Sequence, residues 1–297
     1  MVGAYVNIYH GVLLAKGTFS CVYVDPKDES VAVKVMDDVD LAIDEIGMMR
    51  ALEHPNIVKM LDHQLIDVES DTGQSQRVMA IRMPRAKMTL HEHIRKVSSL
   101  SLVIQHAMQI LRALAYLHDE RHMMHRDLKP NNILFEPGSG RWVEGRVMLA
   151  DFGTSTWIRS NRSYSAPVSM YIYSAPETIL EEYRTGPCLA QYNGLIDVFA
   201  FGCIFWEMLT RGKYGPLFGK ETENEETAQK QHGEFLSRYD NFEHNMLKSI
   251  RDPRVAKVLL GCLQPHPRNR ISAQRALLHF ENAESESPEG LTGSGMH

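Results

Sequence analysis

The chain has 297 residues, 43% of them apolar and 23% charged, with a formal net charge of −5. It is long enough to bury a large core in one or two domains. The small acidic excess gives no global attraction to nucleic acid or to an anionic membrane, so neither is expected as a partner. Cys21, Cys188, Cys203 and Cys262 lie far apart and form no C-x-x-C pair. They read as reduced thiols of a cytoplasmic or nuclear protein rather than as a zinc site or a disulfide framework. The N-terminal stretch lacks the basic flank and apolar run of a signal peptide.

In chain order, short strands come first. Residues 5–14, 21–24 and 31–36 are rich in Val and Tyr and are broken by Gly17 and by Asp25-Pro26. A helix is predicted over 41–52, ending before His54-Pro55, because the residue before proline resists the α region. Two more strands are predicted at 57–65 and 77–83, separated by a polar turn over 69–76. From Thr89 the pattern turns helical, and 100–118 carries Leu102, Ile104, Met108, Leu111, Leu114 and Leu117 at helical spacing. The most apolar helical segment, 195–209, contains Asp197 and Glu207 and is too short to span a bilayer, so it reads as a buried core helix. Residues 282–297 are rich in Glu, Ser and Gly and read as a disordered tail. The expectation is an α+β chain: a small β-rich lobe to about residue 82, a junction at 82–88, and a larger helical lobe beyond.

Three motifs carry chemistry. His125-Arg126-Asp127-Leu128-Lys129-Pro130-Asn131-Asn132 sets an acid, a cation and an amide close together, which is the set phosphoryl transfer requires. A second carboxylate that suits a metal follows in Asp151-Phe152-Gly153, and Lys34 stands alone on the strand-like run Val31-Ala32-Val33-Lys34. Singly, each is compatible with an ordinary turn or a surface lysine. In this order and at these separations they resemble a eukaryotic-type protein kinase of the Ser/Thr group, over residues 8–280.

That resemblance implies a bilobal fold, ATP and Mg²⁺ as cofactors, and proteins as substrates. It implies that Lys34 contacts the nucleotide phosphates and pairs with Glu45; Asp44, the neighbouring alternative, would point about 100° away on the helix. It assigns Asp127 as the base for the acceptor hydroxyl and Lys129 as the γ-phosphate cation. Asn132 and Asp151 become the Mg²⁺ ligands. The nucleotide-covering loop is Leu14, Ala15, Lys16, Gly17, Thr18, Phe19, Ser20, Cys21 and Val22, with Ala32 beside it. Only Gly17 of the three usual glycines is present; Ala15 and Ser20 replace the others, which implies weaker nucleotide affinity. Met170 stands where Ser/Thr kinases usually have a threonine, and methionine cannot donate its hydrogen bond; Ser169 is the alternative holder of Asp127.

In the helical lobe the resemblance pairs Glu177, in Ala175-Pro176-Glu177, with Arg270, and gives Asp197 the task of anchoring the catalytic loop. Met49, Met60, His125 and Phe152 fit either an apolar column between the lobes or plain core packing. Arg126 suggests a phosphate received from the activation segment, on Ser163 or Ser165, added by an activating kinase or by the chain itself. His91, His93, His118 and His122 form no complete metal set. The acidic run 221–226 reads as a solvated loop or a docking surface for a basic partner. A pseudokinase scaffold of the same fold is the alternative function, and a small-molecule kinase is a third.

Overall fold

The computed structural model describes residues 11–17, 19–69, 75–138, 144–158, 171–180, 193–218 and 225–281. Strands β1 (Leu13–Lys16), β2 (Ser20–Asp25), β3 (Asp28–Met36), β4 (Asp62–Glu69) and β5 (Ser75–Pro84) form one antiparallel sheet in the order β1-β2-β3-β5-β4. Period-two alternation divides its side chains between two faces. Cys21, Tyr23, Val33, Val35, Val78 and Ala80 pack together on the outer face. Ala32, Met36, Ile81 and Met83 face inward and join the main core.

Helix α1 (Val39–Arg50) follows β3 in the chain. Its first turn is capped by Asp38, whose carboxylate accepts the Leu41 N–H at 3.0 Å. It buries Ala42, Glu45, Ile46 and Met49, a single helical stripe, while Asp44 is exposed. The helix lies two residues earlier than the sequence pattern predicts.

The strand predicted over 57–65 begins later, at Asp62. Residues before it serve a different purpose. Ile57 bridges Leu149, Val58 N–H donates to the Leu149 carbonyl at 2.9 Å, and Leu149 N–H donates to the Asn56 carbonyl at 2.9 Å. Their backbone groups are satisfied by a strand of the second lobe, which ties the loop after α1 to that lobe. The polar turn predicted over 69–76 is shorter, since β4 reaches Glu69 and β5 starts at Ser75. Of the first predicted strand, only its end falls among the described residues, in β1.

The second region is mainly helical. Elements β6 (Met88–Thr89), α2 (Leu90–Ile94) and α3 (Leu100–Ala115) lead into a π turn, Tyr116–Glu120. Short strands follow: β7 (Met123–Met124), β8 (Ile133–Glu136), β9 (Arg146–Leu149) and β10 (Thr156–Trp157). The rest is α4 (Pro176–Ile179), α5 (Leu195–Thr210), α6 (Glu225–Ser237), α7 (Tyr239–Ser249), α8 (Pro253–Cys262) and α9 (Ala273–Glu281). The fold is therefore α+β and bilobal.

Helix α5 packs against α3 and α8 and is buried on nearly every side, from Val198 and Phe199 to Phe205 and Met208. A helix apolar all round belongs in a core. Leu100–Glu120 is the one stretch among the described residues with the length and hydropathy of a membrane span, and 61% of its apolar window is buried against the rest of the chain. The tail over 282–297, the acidic residues 221–224, Ser163, Ser165, Ser169 and Met170 lie outside the described residues.

Candidate active site

The sheet and α1 bring Lys34 and Glu45 together. Lys34 sits mid-β3 on the inward face, cross-strand from Val22 and Ile81. Its Nζ donates to Glu45 Oε1 at 2.7 Å and Oε2 at 2.6 Å, and to Asp151 Oδ1 at 2.9 Å. Burial alone would lower the Lys34 pKa, but the two carboxylates outweigh it and hold the ammonium above its ordinary value. Asp151 runs the other way: burial would raise its carboxyl, and Lys34 brings it below the usual range. The Asp151 side chain remains 44% exposed at the cleft, so its pairing is partly screened.

Asp151 has φ 66° and Arg126 has φ 70°, left-handed values rare for residues with a Cβ. Strain of this kind persists only where the surroundings hold it. Here Ala150 N–H donates to the Asn132 carbonyl at 2.9 Å, joining the two loops, and the His125 carbonyl accepts from Thr154 Oγ1 and Ser155 Oγ at 3.2 Å each. His125 Nδ1 lies 3.3 Å from the Asp127 N–H and its Nε2 lies 3.0 Å from the Ala150 carbonyl, which fixes the Nε2–H tautomer. Phe152 packs on the same ring at 5.1 Å. Met49 is buried in the same core and Met60 lies partly buried against it.

Asp127 is buried, and its two oxygens are used unequally. Oδ2 accepts from Lys129 Nζ and from Asn132 Nδ2, both at 2.9 Å. Oδ1 is buried with no partner among the described residues. An orphaned buried acceptor costs roughly 1–3 kcal/mol, so this oxygen is set aside for a donor. Asn132 also spends its amide hydrogens on the Asp127 carbonyl at 2.8 Å, so the atom it offers to a cation is Oδ1. With Asp151 this makes an all-oxygen donor pair, the hard chemistry that Mg²⁺ prefers. Among the described residues no group of three or more His, Cys, Asp or Glu is placed to hold a metal alone. A cation here would need further oxygens, such as those of phosphates.

Asp197 on α5 holds the loop from below. Its Oδ2 accepts from the His125 N–H at 2.8 Å and from His118 Nε2 at 2.9 Å, and Oδ1 accepts the Arg126 N–H at 2.9 Å. Burial would raise this carboxyl, but the hydrogen bonds it accepts, from His118 first and from the Arg126 N–H, carry it below its ordinary value. Glu177 receives both Arg270 terminal nitrogens, at 2.7 and 2.9 Å. Three further carbonyls, of Gln264, Leu195 and Pro265, take the rest of the guanidinium donors.

The glycine-poor loop is only partly aimed at the cleft. Ala15 pairs with Val22, which pairs with Lys34, so these share the inward face with Ala32. Cys21 packs on the outer face with Tyr23, and Lys16 is its cross-strand partner. The side chains of Cys21 and Lys16 therefore point away from the cleft, as the two-residue period of β2 requires. Leu14 and Phe19 are exposed, Gly17 N–H donates to the Ser20 carbonyl at 2.8 Å, and Thr18 lies outside the described residues. Two further groups were missed in the sequence. Ile81 is the cross-strand neighbour of Lys34 and lies in the main core with 0% exposure. Tyr173 donates to Glu207 Oε1 at 2.7 Å, and the available signal was a glutamate inside an otherwise apolar helix.

A two-lobed fold with a lysine–glutamate pair in the cleft and a carboxylate held by a lysine and an asparagine defines a phosphoryl-transfer architecture. The chain belongs to the protein kinase family: the protein kinase domain matches residues 10–280. Among curated proteins it is similar to the probable serine/threonine-protein kinase MRK1 homolog of Encephalitozoon cuniculi (strain GB-M1). The two are 26% identical over 276 residues, which cover 90% of this chain and 74% of the relative.

Proposed function

We propose that this protein kinase transfers the γ-phosphoryl group of Mg·ATP to serine or threonine hydroxyls of proteins. The observation that carries the reading is the asymmetry of Asp127, with one oxygen held by Lys129 and Asn132 and the other buried and without a partner among the described residues. An incoming hydroxyl donates to Oδ1, and the carboxylate takes its proton as the oxygen becomes the nucleophile. Lys129 keeps the carboxylate oriented and presents positive charge beside it. Lys34, steadied by Glu45, offers its ammonium to phosphate oxygens, while Asp151 and Asn132 offer oxygens to Mg²⁺. When bound, Mg·ATP supplies the transferable phosphoryl group.

The protein-substrate reading draws on a small pocket of mixed polarity at the catalytic loop. Its lining joins Arg126, Leu128 and Asp197 to Tyr173, Ser174 and Ala175, which sets the segment before α4 against the loop that carries Asp127. Serine/threonine preference rests on Lys129 and on the name of the Encephalitozoon relative. The test is transfer of labelled γ-phosphate to a basic protein, with phosphoamino-acid analysis, for the native chain and Asp127→Asn. Transfer to serine or threonine that disappears in the variant supports the proposal. A folded native chain that transfers nothing points to the scaffold alternative.

A further inference from the structure

Ala228 and His232 are the fully buried side chains among the described residues of α6, one turn apart on the face turned to the body of the lobe. The His232 ring is 1% exposed and lies flat on Phe218, with centroids 4.2 Å apart and planes 4° from parallel. Its Nε2 is 2.9 Å from the Ser174 carbonyl and its Nδ1 is 3.0 Å from the Ala228 carbonyl. Burial lowers the imidazole pKa and keeps it neutral, so it has one N–H to give.

The Ala228 carbonyl already has a donor in the helical N–H of residue 232. The Ser174 carbonyl has no other donor among the described residues. The proton therefore belongs on Nε2, and the ring's one strong bond runs out of α6 into the segment before α4. That segment, Tyr173 to Ala175, lines a small pocket together with Arg126 and Leu128, the residues on either side of Asp127. An apolar side chain of similar size would fill the space over Phe218 but leave the Ser174 carbonyl buried and unpaired.

We infer that His232 is a positioning residue that locks the substrate-facing wall of the site to α6, so that recognition of the protein substrate depends on it and handling of the nucleotide does not. The inference rests on the kinase reading for its consequence, and on geometry alone for the lock. It is tested with His232→Leu, which fills the space without a donor, and His232→Gln, whose amide nitrogen can reach the same carbonyl.

Steady-state phosphorylation of a serine-containing basic protein gives the first readout. His232→Leu raises KM for that protein about tenfold or more, leaves KM for ATP within about twofold, and is largely rescued in His232→Gln. Amide hydrogen exchange on the full chain gives the second. Exchange over residues 172–178 speeds up in His232→Leu, while α5 keeps its protection. An unchanged protein KM with unchanged exchange overturns the inference. So does faster exchange through α5, because His232 would then be only a core residue. A native chain with no transferase activity contradicts the kinase reading instead, and the exchange comparison still decides whether the lock exists.

Discussion

The cleft and the base of the helical lobe each hold a buried ion pair, and the two are finished differently. In the cleft, Lys34 is shared between Glu45 and Asp151, and the Asp151 side chain is 44% exposed. At the base, Arg270 has 0% side-chain exposure, spends its donors on Glu177 and three carbonyls, and lies over the Phe199 ring at 4.9 Å. The base pair has every hydrogen bond satisfied and nothing left to offer a ligand. The cleft pair ends at a solvent-facing carboxylate that can exchange partners. The first is built to hold α4 in place, the second to be rearranged by what enters the cleft.

The largest expected effect lies at the sealed pair. Arg270→Met leaves the Glu177 charge buried without compensation and costs about 3–5 kcal/mol of stability, read from urea denaturation. Affinity for Mg·ATP in the variant that remains folded changes little. Glu45→Gln behaves oppositely. Lys34 keeps Asp151 as a partner, so the stability cost is smaller, about 1–2 kcal/mol, while kcat/KM for ATP falls about 10²-fold because Lys34 is no longer aimed. If Glu45→Gln is the more destabilising of the two, the distinction between the pairs fails.

A third expectation concerns pH. His93 and His106 are buried around Phe135, His93 stacked on it at 3.6 Å, and burial lowers both imidazoles, His106 to about 4. His93 Nε2 and His106 Nδ1 are buried without partners among the described residues. The folded chain thus binds its protons later than the unfolded chain, whose histidines titrate near pH 6.5. Stability from His106 is fully present above about pH 6.5 and is lost as pH falls from there towards 4, by up to about 1.4 kcal/mol per pH unit. His106→Leu flattens this part of a melting-temperature profile against pH. A profile unchanged by His106→Leu would place the acid lability elsewhere in the chain. The smallest effect belongs to Arg77–Asp67, an exposed pair at 3.1 Å, where Asp67→Asn stays within about 0.5 kcal/mol.

Both pairs were legible in the sequence because each rests on a motif with fixed spacing. The resemblance to protein kinases pairs Lys34 with Glu45 and Glu177 with Arg270. What escaped was decided by distant partners. The loop at 57–61 has the composition of a strand, yet Ile57 bridges Leu149, Val58 N–H donates to the Leu149 carbonyl and Leu61 N–H donates to the Arg82 carbonyl. Cys21 falls inside the nucleotide-loop motif, but the register of β2 turns it outward with Tyr23. His232 has no motif at all. Only the fold reveals that its ring meets the Ser174 carbonyl.

The contrast is tested most directly by thermal unfolding with and without saturating Mg·ATP, for the native chain, Glu45→Gln and Arg270→Met. A ligand that binds only the folded state raises the melting temperature in proportion to its affinity. The account predicts a lower starting temperature with an intact ATP-dependent rise in Arg270→Met, and a nearly native starting temperature with the rise lost in Glu45→Gln. A full ATP-dependent rise in Glu45→Gln, or loss of the rise in a folded Arg270→Met, would contradict it.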